Sequence, residues 1–171
     1  MNATRNSLPT ATRKDAVRIL NSTVADLFDL YARTKQAHWN LRGQSFFALH
    51  RLLDEFEATT QEHIDSAAER ATALGGIVEG TLRDTVKHSR LKKRRNQYQN
   101  PASATGFANW LTSTQPAVKM FVAESRSSLT KMTSGLLIYS LTWCAIWTSN
   151  SGFLRRTWNE SDPLFNSTIN T

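Results

Sequence analysis

His50 and Asp54 stand four residues apart, and so do Asp65 and Glu69. At about 100° per residue the four positions fall at roughly 0°, 40°, 60° and 100° around a helix, on one broad face. Imidazole and carboxylate at that spacing can grip one cation. Mixed nitrogen and oxygen donors suit Fe(II), Mn(II) or Zn(II) rather than Cu(I). The two pairs cannot serve one ion within one chain, because Asp54 and Asp65 are 11 residues apart, about 16 Å along the axis. An antiparallel copy of the helix, related by a two-fold axis, would set the His50/Asp54 pair of one chain against the Asp65/Glu69 pair of its mate. His38, across a short loop, would then join the first pair. The plainer alternative is that such pairs decorate a solvated helix; their sharing of one face, with His38 at the adjoining helix end, favours a site.

Two helices must carry these residues. Thr12-Arg-Lys-Asp15 has the character of a capping box, and Val17, Leu20, Val24, Leu27 and Tyr31 then recur at helical spacing on a stripe that extends to His38. With no Pro or Gly between Thr10 and Gly43, a helix of about 27 residues is expected, stopped by Asn40-Leu-Arg-Gly43. Ser45 is a candidate N-cap for a second helix, in which Phe46, Leu49, Leu53, Phe56, Ile64, Ala68 and Ala71 lead to Leu74 and a Gly75-Gly76 C-cap. Such a hairpin cannot bury both apolar stripes alone, so a helical bundle or an oligomer is implied.

His38-Trp39-Asn40-Leu41-Arg42-Gly43, Ala48-Leu49-His50, Leu53-Asp54, His63-Ile64-Asp65 and Ala68-Glu69-Arg70 through Leu74-Gly75-Gly76 closely resemble the Dps family, the miniature ferritins. The resemblance runs from about residue 15 to residue 90. It implies an all-α, ferritin-like four-helix bundle assembled as a dodecamer built on two-fold dimers. It also implies a ferroxidase centre at each two-fold contact, with His38, His50 and Asp54 from one chain and Asp65 and Glu69 from the other. The implied substrate is iron, Fe(II) oxidised by hydrogen peroxide and stored as ferric mineral, with protection of DNA from oxidative damage. Trp39 follows a ligand directly and is read either as a sink for stray oxidising equivalents or as an interface aromatic. His63 and His88 lie outside the motif and are expected to pack or face solvent.

Composition divides the chain. Residues 1–88 hold 11 basic and 11 acidic residues, whereas residues 89–171 hold 10 basic and three acidic ones, so the whole +7 charge lies in the second part. Four of the five tryptophans lie there too. The expected organisation is a flexible basic tail over 1–14, a helical hairpin with the ligands over 15–90, and an atypical basic, Trp-, Ser- and Thr-rich part over 91–171. That last part reads as the second half of the same domain or as a disordered tail. Lys92, Lys93, Arg94 and Arg95, with Arg5, Arg13 and Lys14 at the other end, are candidate contacts to DNA phosphates, and Tyr98 and Trp110 are weaker candidates for base stacking. A nucleoid protein that condenses DNA without metal chemistry is therefore a rival reading.

A slipped coding frame explains the break better. Back-translating Lys131 to Glu160 and reading one nucleotide earlier permits DDFGTADLFTDLVRDLDKQLWIFEAHLE followed by a stop, a string that resembles the family's last helix. The expectation is that text from between Arg90 and Trp110 onward is out of frame, which adds an inactive gene product as a third reading. The single cysteine excludes an intramolecular disulfide framework and a Cys-based zinc cluster. Met1 to Asp15 lacks the apolar stretch of a secretory signal, and the longest apolar run, Leu136 to Trp147, is 12 residues, short of the roughly 20 that span a membrane. A soluble cytoplasmic protein is expected, nucleoid-associated where DNA is bound.

Overall fold

The computed structural model describes residues 1–43 and 46–91, and these form three helices with no strand among the described residues. Helix α1 spans Thr10–Asn40, α2 spans Phe46–Ala73 and α3 spans Leu82–His88. The proposed N-cap Ser45, the basic run 92–95, Tyr98, Trp110 and the whole segment 91–171 apart from Leu91 lie outside the described residues.

α1 is longer than its sequence signals suggest. It starts at Thr10 after Pro9, with no side-chain cap, so Thr12 to Asp15 lie inside its first turns rather than ahead of it. Residues 10–14 of the segment expected as tail are thus helical. Pro9 suits that place because its fixed φ, here −53°, leads into a helix and its missing N–H costs nothing there. The 31 residues give a rod of about 46 Å.

The hairpin core agrees with the expected stripes except at Phe46, which is exposed, and at Tyr31 and Ala68, which are half-buried. Val17, Leu20, Val24 and Leu27 of α1 are buried, as are Leu49, Leu53, Phe56, Ile64 and Ala71 of α2, with Leu74 just beyond it. Thr34 and Thr60 are also fully buried, and each returns its hydroxyl to the carbonyl four residues earlier, Leu30 and Phe56, so neither hydroxyl is stranded.

The end of α2 is closed in detail. The Gly76 amide donates to Ala71 O and the Gly75 amide to Thr72 O, the two bonds of a Schellman cap, with Gly75 at φ +82°. The start of the chain seals this end: the Asn2 amide donates to Gly75 O, Thr4 Oγ1 to Ala73 O, and the Arg13 guanidinium to Leu74 O.

α3 is not legible as a helix in the apolar pattern. Its signal is local: Thr81 and Asp84 form a capping box, each side chain taking the other's backbone amide. The paired Thr81 groups hold the Asp84 carboxyl below its ordinary pKa. Beyond α3, the fully buried Asp26 of α1 accepts from the Arg90 amide at 2.6 Å and from its guanidinium at 2.6 and 2.7 Å. Among the described residues no helix is long and apolar enough to cross a membrane.

Candidate metal centre

The loop between the long helices brings the site together. α1 ends where Leu41 turns to an extended conformation with its side chain buried, and Gly43 comes two residues later at φ +108°, where a side chain is disfavoured. The Phe46 amide then donates to Gly43 O as α2 begins. This reversal lays the last turn of α1, with His38, against the first turns of α2, with His50 and Asp54.

His38, His50 and Asp54 converge: each offers a ligand atom within 4.8 Å of the others. The His38 and His50 rings stack with centroids 3.6 Å apart and planes 25° from parallel. His38 Nε2 stands 2.8 Å from Asp54 Oδ1. That contact lacks hydrogen-bond geometry, and both ring nitrogens of His38 and the buried Nδ1 of His50 are without a hydrogen-bond partner. Two donors gripping one ion at about 2.1 Å and a right angle stand about 3 Å apart. The His38–Asp54 separation matches that spacing, and two imidazoles with one carboxylate make a donor set that fits iron. Among the described residues this is the one group of three or more such side chains that can hold a metal.

Asp65 and Glu69 do not join the cluster. Both sit exposed further along α2, as the rise between the pairs requires. Trp39 is 70% exposed beside His38. His63 is buried, and that burial pushes its pKa below the ordinary 6.5 against the opposing pull of Glu62. His88 approaches Glu79, with Nδ1 3.5 Å from the carboxylate.

An ion pair that sequence reasoning missed lies one turn from the ligands. Lys35 Nζ meets Glu57 Oε2 at 2.6 Å. The hydrogen bond to Glu57 raises the Lys35 pKa above 10.5; burial opposes it, and the charges of Glu57, Tyr31 and Asp54 add to the rise. Lying 22 residues apart on different helices, the two leave no mark in local spacing.

Of the basic candidates for DNA, Arg5 and Lys14 are exposed. Arg13 is engaged, its guanidinium donating to Leu8 O, Thr10 Oγ1 and Leu74 O.

Comparison with known proteins agrees with this fold. The family model for the ferritin-like domain matches residues 17–114, beyond the limit near Arg90 expected from the motif alone. The chain belongs to the ferritin-like domain family. The relatives it matches include Dps proteins: over 89 residues it is 43% identical to the DNA protection during starvation protein of Agrobacterium fabrum, covering 52% of this chain and 55% of that one. The chain spans about half the length of the curated relatives it matches. DpsC from Streptomyces coelicolor has a similar fold, with a TM-score of 0.79 at 20% identity over 94% of this chain and 93% of the other. A Vibrio cholerae Dps protein, described as a member of a broad superfamily of ferritin-like diiron-carboxylate proteins, gives 0.72 at 18% identity, covering 90% and 98%.

Proposed function

We propose that this chain is a Dps-type iron-oxidising and iron-storage protein that protects DNA, acting in the cytoplasm as a homo-oligomer of the dodecameric type. The observation that carries this reading is the convergence of His38, His50 and Asp54 within 4.8 Å, with three ring nitrogens left without hydrogen bonds. Iron is the substrate. The carboxylate of Asp54 serves both oxidation states, and the imidazoles add borderline donors that favour a transition metal over Mg(II) or Ca(II). Asp65 and Glu69, exposed on α2, supply the second half of the site from a two-fold partner. With hydrogen peroxide as oxidant, two Fe(II) each give up one electron; the O–O bond accepts both, breaks, and takes two protons to leave two waters. Pairing the electrons in this way avoids release of hydroxyl radical.

Oxidation of Fe(II) by peroxide, monitored by ferric absorbance, tests the reading. Asp54→Ala and Glu69→Ala should each lose most activity. Refolding the two variants together should recover part of it, since some two-fold contacts then contain one intact site. No recovery in mixed assemblies would refute ligands shared between chains. Nucleic-acid binding without metal chemistry is the rival. The exposed Arg5 and Lys14 are its support among the described residues, and DNA binding that outlives both substitutions while iron oxidation never appears would favour it.

A further inference from the structure

The His50 ring stacks against two others. One is His38; the other is Phe46, with ring centroids 4.8 Å apart and planes 29° from parallel. The two neighbours arrive by different routes. Phe46 and His50 are four residues apart on α2 and so share a face, while His38 comes across the loop from α1.

Two facts give the Phe46 ring a role that core packing does not. At 42% exposure it is not a core residue, unlike Leu49 and Leu53 behind it. In addition, His50 Nδ1 is buried without a hydrogen bond. A ligating imidazole ordinarily has its plane fixed by a hydrogen bond from its other nitrogen to a carbonyl or carboxylate. The terminal torsion of a histidine is broad and sets the plane only weakly by itself. Whichever nitrogen ligates, stacking on Phe46 restrains the plane of the His50 ring without a hydrogen bond.

We propose that Phe46 is a positioning residue of the metal centre, fixing the plane of the His50 imidazole by stacking on it. This rests on the reading of His38, His50 and Asp54 as a metal site. Phe46 does not touch the ion; it narrows the ring orientations open to His50 before the ion arrives.

Binding of Co(II) alone, without oxidant, separates the two claims. Calorimetry gives its affinity and the visible d–d band reports the ligand geometry. In the full chain Co(II) should give a band that Asp54→Ala abolishes, and absence of any such band overturns the metal reading and this inference together. Given the band, Phe46→Leu keeps apolar bulk but removes the ring face, and should weaken Co(II) roughly tenfold, at the low end for lost outer partners of ligating histidines, and alter the band. Phe46→Tyr keeps the face and should bind like the parent with the same band. Parent-like affinity and band in Phe46→Leu would overturn the inference while leaving the metal site standing. So would Phe46→Tyr failing as badly as Phe46→Leu, which would show that packing rather than stacking matters, even if Phe46→Leu folds poorly.

Discussion

His63 shows how one buried side chain links this helix to acidity. Its pKa is lowered by burial, so the unfolded chain holds more protons than the folded one between that lowered value and about 6.5. Stability is therefore full above pH 6.5 and falls as pH drops through the window toward the folded-state pKa. Replacing His63 with Gln should flatten that slope relative to the parent, read as the urea midpoint across pH about 5 to 7.5. A slope unchanged by the substitution would assign the acid sensitivity elsewhere. At this scale the sequence is partly legible. The i,i+4 spacing of His50 and Asp54 and their nearness to His38 can be read because a helix and a short loop fix such distances. The stack of Phe46 on His50 and the pair of Lys35 with Glu57 cannot, because both depend on rotamers and on how two helices meet.

The α2 terminus governs the hairpin. A Cβ on Gly76 would lie 2.4 and 2.6 Å from the two methyl carbons of Val17 and 2.9 Å from Ala71 O. Val17 is itself buried, so the clash cannot be relieved by swinging it into solvent. Gly76→Ala should therefore destabilise the protein by about 2 kcal/mol, the usual cost of overpacking. Adding Val17→Ala should return part of it, a coupling that a double-mutant cycle in urea measures. Additive losses would mean that the helices separate rather than clash. The two long helices are legible because their apolar stripes are long and uninterrupted. The start of α1 reads a few residues late because Thr12 and Asp15 mimic a capping box, whereas Pro9 sets the start. α3 escapes the pattern because seven residues carry too little periodicity to read.

At the scale of the whole molecule, the reading frame beyond the hairpin matters most. The Asp26–Arg90 clasp fixes where the chain leaves α3. For the remainder, the charge break and the recoverable acidic string motivate the reading of a slipped frame. Restoring the earlier frame from the 90–110 region should give a soluble, strongly helical assembly. The written chain should be less helical, less soluble or smaller, as circular dichroism and light scattering of the two proteins would show. A stable, highly helical dodecamer from the written chain would dispose of the slip.

The hairpin is tied at both ends, by the Gly43 turn beside the histidines and by Asn2, Thr4 and Arg13 against the last residues of α2. From His50 to Ala73 is about 35 Å along the helix. A fluorophore on the exposed Ala3 would thus sit at the opposite pole from the ligands, on a strap that lets go when the helices part. Its signal would serve as a remote gauge of hairpin opening, readable while Fe(II) is added because none of the proposed ligands is disturbed. Strap and ligands share the same two rods, so loosening one pole while watching the other would measure how stiffly α1 and α2 transmit strain.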